Sequence, residues 1–188
     1  MQKYIGALTI LLLVAMVLVR VGILRKNEIQ AMHFGRIDKK DFLIPPFVFF
    51  YFYLVFAAAF NLPTLSTHEL FHSEAVSWVG ELCCLMRLFL LFMSLVSFGK
   101  SFRVGIDSDD PDKLVTAGIF AWTRNPIFVA FWFVLLGEFL VFSYFIFLVY
   151  LLASFWLIHR QVLREEEYLR SHYGRQYEEY CARVRRYL

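Results

Sequence analysis

PIFVAFWFVLLGEFLVFSYFIFLVYLLASFWLI, residues 126–158, carries one charged side chain in its whole length, Glu138. A bilayer-spanning helix needs about 20 mostly apolar residues. This run is too long for one span and long enough for two short ones that fold back on each other. The turn is expected near Phe142-Ser143. The same pattern recurs upstream. Residues 5–19 are uncharged and the run continues through Arg20 to Leu24, residues 42–62 are uncharged, and residues 76–98 carry only Glu81 and Arg87. The expectation is an all-α, polytopic membrane helix bundle of about five transmembrane helices with a C-terminal cytoplasmic helical tail. Composition agrees, because a 60% hydrophobic chain with 22 Phe lies well above the apolar share of soluble domains.

Lys and Arg are retained on the cytoplasmic side of a membrane, so their distribution predicts orientation. The first loop holds Arg25, Lys26, Arg36, Lys39 and Lys40, and the second, residues 61–75, holds none. Lys100, Arg103, Lys113 and Arg124 follow the third span, and the hairpin turn again has none. The tail from Arg160 onward carries seven arginines. This alternation predicts an outside N-terminus, a cytoplasmic C-terminus and an uncleaved first span. At 188 residues the chain reads as a single domain.

A formal charge of +3 calls for no nucleic-acid partner, and the basic tail and first loop suit anionic lipid headgroups instead. Cys83, Cys84 and Cys181 form neither a disulfide framework nor a metal-ligand spacing. His68 and His72 flank Glu69, but their spacing is not that of a zinc protease, and no metal is expected. No Gly-rich strand–helix loop or phosphate-binding loop is present. Any cofactor site must therefore come from the helices and their cytoplasmic edges. Within the spans, Glu81 and Arg87 lie on roughly opposite helix faces, so Arg87 is expected to pair with Glu138 instead.

Two polar signatures flank the hydrophobic hairpin. The first is Lys113-Leu114-Val115-Thr116-Ala117-Gly118-Ile119-Phe120, followed by Arg124-Asn125-Pro126-Ile127-Phe128. The second is Glu165-Glu166, followed by Leu169, Tyr173-Gly174, Tyr177 and Tyr180. Asn125-Pro126 reads as an N-cap and first helical residue. A helix start of this kind also attracts anions through its free amides and macrodipole. Glu165 and Glu166 read as a solvated helix face balanced by Arg164 and Arg170, or as a carboxylate for a cationic ligand. Residues 160–188 read as an amphipathic helix, or a helix pair broken at Gly174.

In order and spacing these signatures resemble the isoprenylcysteine carboxyl methyltransferase and phospholipid methyltransferase family of integral-membrane, S-adenosylmethionine-dependent enzymes, over about residues 98–187. The resemblance implies that Lys113, Leu114 and Val115 border the adenosine of S-adenosylmethionine. It implies that Phe120 and Asn125-Pro126-Ile127-Phe128 line the cofactor pocket, with Gly118 as the turn. It also implies that Glu165 binds the cofactor, with Glu166 as its neighbour. Many relatives have His at Asn125 and Tyr at Phe120 and Phe128. Prenylcysteine-specific members place an Arg four residues before the cofactor Glu; here that position is Gln161, beside Arg160. Arg160 and Gln161 are the residues expected to orient the acceptor. The implied acceptor is a lipidic or amphipathic small molecule. A small thiol, a quinone-like compound or a lipid amine remains open, as does a non-catalytic membrane helper on the same scaffold.

Overall fold

The structure, a computed structural model, describes residues 1–26, 44–63, 68–98 and 114–188. The chain forms α1 (Gln2–Lys26), α2 (Ile44–Ala59) and α3 (Glu74–Phe98), then a 3-10 turn (Gly118–Ala121). α4 (Pro126–Phe142), α5 (Phe145–Tyr173) and α6 (Arg175–Arg183) complete it. Among the described residues the only bridge pairs are isolated, Glu69 with Tyr144 and Thr123 with Arg185. The fold is an all-α membrane helix bundle, as the apolar runs predict.

Burial is inverted relative to a soluble protein. Leu82, Leu85, Phe89, Phe92 and Val96 of α3 are each more than half exposed, whereas Glu81, Arg87 and Ser94 on the same helix are buried. Such a surface is stable only against lipid, with the ionisable side chains turned inward. α1, α3 and α5 are long and apolar enough to cross a membrane. α2 and α4 have 16 and 17 residues. At ~1.5 Å per residue they reach about 25 Å, slightly short of the ~30 Å hydrocarbon layer.

α3 and α4 run antiparallel in close contact because two glycines face each other. A Cβ on Gly80 would lie 2.7 Å from the Gly137 carbonyl oxygen, and one on Gly137 would lie 2.7 Å from Cys84 Sγ. Between lipid-embedded helices, such small residues let backbones approach and so gain dispersion contact. Beside this contact the Arg87 guanidinium meets Glu138 at 3.7 Å, both side chains fully buried. The expected interhelical pair is present, and Glu81 lies buried on the same helix as Arg87. One apolar cluster joins α1, α2, α4 and α5 through Ile10, Leu54, Val55, Phe142 and Phe147. A second joins Leu90, Leu91 and Leu95 of α3 to Val129 and Ala130 of α4.

The hairpin turns where expected. α4 ends at Phe142, and Ser143 takes the left-handed conformation (φ 56°) while its N–H bonds back to Phe139. The loop before α3 straps this turn: the Leu70 N–H donates to the Ser143 carbonyl at 2.8 Å, and the Phe145 N–H to the His68 carbonyl at 3.0 Å. The tail differs in one respect from a separate cytoplasmic helix. α5 passes without interruption from the apolar run to Tyr173, because nothing between Ile158 and Tyr173 breaks a helix; the break comes only at Gly174 (φ 50°).

Candidate active site

The site begins where α4 begins. Pro126 occupies the first turn, so its missing amide costs nothing there. Asn125 stands at the N-cap, but its side chain makes no capping bond. Its Nδ2 donates instead to Glu166 Oε1 at 3.3 Å and to the Arg186 carbonyl at 3.2 Å. First-turn amides of a helix have no intrahelical acceptor, so those of Ile127 and Phe128 remain available to an anion.

Glu166 is the centre of charge. It is 2% exposed. One oxygen meets Arg124 Nη2 at 3.3 Å, and the other accepts from Arg186 Nη2 at 2.8 Å and Nε at 3.0 Å. Arg124 also contacts the Cys181 thiol. With one carboxylate against two guanidiniums, the cluster carries a net charge of −1 + 2 = +1.

The C-terminal segment is laid across this cluster in extended form. Arg124 N–H donates to the Arg185 carbonyl at 2.9 Å, and Thr123 Oγ1 to the Arg186 carbonyl at 3.2 Å. Tyr187 then reaches α4 and α5, its hydroxyl 2.8 Å from His159 Nδ1 and its ring 4.5 Å from that of Trp132. On the other flank, Gly118 adopts φ 65°, a conformation disfavoured for any residue with a Cβ. It aims the following turn at α3, where the Ile119 N–H donates to Ser97 Oγ at 3.2 Å. The Phe120 ring packs edge-on against Phe98 at 4.5 Å, and its carbonyl accepts the Tyr180 hydroxyl at 2.7 Å.

The tyrosines are donors, not bases. Burial pushes Tyr180 up to about 12, and burial together with the Glu166 carboxylate raises Tyr177 as well. The hydrogen bond to Glu166 raises Arg186 in turn. Two buried donors near the cluster, Arg124 Nε and the Tyr177 hydroxyl, have no protein acceptor among the described residues.

Of the residues singled out in the sequence, Phe120, Asn125, Pro126 and Glu166 converge here. Ile127 and Phe128 are half-buried on the first turn of α4, and Leu114 and Val115 are half-buried in the approach segment. Lys113 lies outside the described residues. Glu165, 100° further around α5, is half-buried and accepts from Gln161 Nε2 at 3.1 Å. The Arg160 guanidinium sits 5.7 Å from the Trp156 ring centroid, on the lipid-facing side of α5. The sequence reading assigned no site role to Thr123, Arg124, Cys181 or Arg186, although Arg124 stands in the first signature. Arg186 has no local pattern to reveal it; only the return of the C-terminus brings it to Glu166.

Residues 75–176, more than half of the chain, match the phospholipid methyltransferase family. Over 127 residues the chain is 30% identical to a protein-S-isoprenylcysteine O-methyltransferase of Schizosaccharomyces pombe, an alignment covering 66% of this chain and 53% of that relative. The chain thus spans about half the length of the curated relative it matches. The family match takes in all but the first residue of α3, the 3-10 turn, the hairpin and Glu166, and on that evidence this chain belongs to the phospholipid methyltransferase family.

Proposed function

We propose that the chain is an integral-membrane, S-adenosylmethionine-dependent methyltransferase with its cofactor site on the cytoplasmic side, acting on a lipidic or amphipathic acceptor. The observation that carries this reading is the net-positive Arg124–Asn125–Glu166–Arg186 cluster at the first turn of an apolar helix. Family membership supports it, as does the alternation of basic loops.

The residues present fit the cofactor. Free first-turn amides, the unpartnered Arg124 Nε and the Tyr177 hydroxyl form a donor set for its carboxylate. Glu166, already held by two arginines, organises those donors, and Glu165 in the next helical position supplies a carboxylate for its ammonium group. Phe120, Ile127 and Phe128, with Leu114 and Val115, provide the apolar and aromatic surface that suits adenosine and the sulfonium. When bound, the cofactor supplies an electrophilic methyl group for direct displacement.

The chain's own contribution is then orientation and exclusion of water. The site's tyrosines remain protonated and Glu166 is committed to arginines, so this cluster offers no base. An acceptor that arrives as an anion, or as an amine with a free lone pair, suits such a site. We assign to Arg160 and Gln161, at the level where α5 leaves its apolar run, the role of orienting the acceptor's polar end. The yeast relative is named as an O-methyltransferase of S-isoprenylcysteine. With Gln161 in place of arginine, this chain lacks the bidentate fork that recognises a carboxylate there. We therefore expect weak transfer to farnesylcysteine analogues and stronger transfer to acceptors without that carboxylate.

The test is incubation of the purified full chain in lipid with label-bearing cofactor and a panel of prenylcysteine, thiol, quinol and lipid-amine acceptors. Transfer to one of them, with S-adenosylhomocysteine affinity reduced by Asn125→Ala, is the expected outcome. Failure to bind S-adenosylhomocysteine at all would overturn the enzyme reading in favour of a membrane helper.

A further inference from the structure

A pocket lies beside the candidate active site, at the C-terminal segment. It has a volume of about 330 Å³ and is lined by Ala121, Trp122, Arg183, Val184, Arg185 and Leu188. We propose that this pocket binds the headgroup of an acidic phospholipid, with the phosphodiester between Arg183 and Arg185 and the acyl chains passing over Trp122 and Leu188.

Four observations carry the assignment. Arg183 closes α6 and Arg185 follows the extended Val184 (φ −121°, ψ 134°), and both line the pocket. Neither guanidinium forms an ion pair among the described residues, in contrast to Arg124 and Arg186, whose charges Glu166 takes up. Among the lining residues no side chain carries a negative charge, and one donor of Arg183, Nε, is engaged by the Glu179 carbonyl at 3.2 Å. Its apolar members are open to the surroundings, with Trp122 76% and Leu188 66% exposed. A large exposed indole is costly in water but belongs at the headgroup level of a bilayer. Trp122 is also four residues before the start of α4, so the pocket sits at the end of an apolar helix, where headgroups are. Arginine recognises a phosphodiester by charge-assisted hydrogen bonds, and its volume falls in the range of small-ligand sites.

Binding there would have a consequence for the neighbouring site. The pocket is built on the same extended strand whose carbonyls receive Arg124, Thr123 and Asn125. A lipid that bridges Trp122 and Arg185 holds that strand against the 3-10 turn, and so holds Arg186 on Glu166. The inference rests on the membrane-spanning reading but not on methyl transfer, and lipid binding reads it directly.

The experiment is native mass spectrometry of the full chain in detergent, titrated with phosphatidylglycerol or phosphatidylcholine. Wild type should retain phosphatidylglycerol preferentially. Arg183→Gln/Arg185→Gln should lose about thirtyfold in that preference, since each arginine at an anionic surface contributes roughly fivefold. Arg183→Lys/Arg185→Lys should recover part of it. Arg175→Gln removes one positive charge from an exposed residue of α6 paired with Glu179, away from the pocket, and should leave the preference intact. An undiminished preference in the double glutamine variant would overturn the proposal, as would an equal loss in Arg175→Gln. Displacement of phosphatidylglycerol by millimolar inorganic phosphate would also overturn it, making the site one for free anions. Thermal unfolding in phosphatidylcholine alone, expected to be the same for all variants, separates loss of the site from loss of the fold.

Discussion

Replacing Glu166 by Gln keeps the shape of the side chain and removes the one negative charge in a cluster with two arginines. The two arginines respond differently. Arg124 is 11% exposed and cannot turn to water, so its lost charge-assisted hydrogen bond costs about 1.5–3 kcal/mol. Arg186 is 37% exposed and can rehydrate, which limits its share to about 1 kcal/mol. The expected destabilisation is therefore roughly 2–4 kcal/mol, borne mainly by the docking of residues 184–187. Glu165→Gln offers a contrast within one helical step. Its carboxylate is half-buried and held by Gln161, so the same substitution should cost less than about 1 kcal/mol of stability. It should nevertheless weaken S-adenosylhomocysteine binding, by about 1.5–3 kcal/mol if it meets the cofactor ammonium. The measurements are thermal unfolding in one detergent, hydrogen exchange of the C-terminal amides and calorimetric affinity. Glu166→Gln should speed exchange at the tail and lower affinity together, whereas Glu165→Gln should lower affinity alone. Equal and mild effects of the two would refute the argument.

Arg87→Met should cost about 3–5 kcal/mol by stranding Glu138 in the bundle, and Arg87→Met/Glu138→Met should recover most of that stability; a double variant no more stable than the single one would deny that the two side chains are partners. In a background without Cys83, Cys84 and Cys181, single cysteines at the exposed His72 and Ser171 should be labelled from opposite sides, His72 from outside and Ser171 from the cytoplasm. The reverse result would move the candidate site to the outer face.

The helices were legible because bilayer solvation imposes a one-dimensional rule. A span must be apolar for about 20 residues, and loops must carry the charge. Residues 126–158 announced a hairpin, and the turn falls at Ser143 as expected. The pairing of Arg87 with Glu138 was legible for the same reason, since an ionisable group in hydrocarbon must find a partner and few were available. The site was less legible because its contacts cross long stretches of chain. Glu165 and Glu166 are neighbours in sequence, and only the rotation of α5 decides which enters the cluster. The expected local partners Arg164 and Arg170 do not hold Glu166; Arg124 and Arg186 do, 42 residues before and 20 residues after it. Asn125 was read correctly as a helix start, but its amide turned away from the cap because a buried carboxylate offered the stronger acceptor.

α4 connects the two buried polar centres of the molecule. Asn125 stands at one end and Glu138 near the other, 13 residues apart, which at ~1.5 Å per residue is about 20 Å. Both centres constrain the same rotation of the same helix. A turn of α4 by one residue, 100°, would carry Glu138 from Arg87 toward lipid and would carry Asn125 away from Glu166. The apolar side chains of α4 do little to prevent that turn, since lipid and bundle interior are alike in polarity and a hydrophobic face is no guide. The Gly80–Gly137 contact sets the distance between α3 and α4 and disfavours such a turn, and the Arg87–Glu138 pair adds a polar constraint on the rotation. We therefore read the buried ion pair as a register device whose effect is felt at the far end of the helix. Its removal in the double methionine variant would leave a stable bundle with a poorly aligned site, so stability and S-adenosylhomocysteine affinity should part company in that protein. Affinity equal to wild type would show that the Arg124–Glu166–Arg186 cluster holds α4 in register without help.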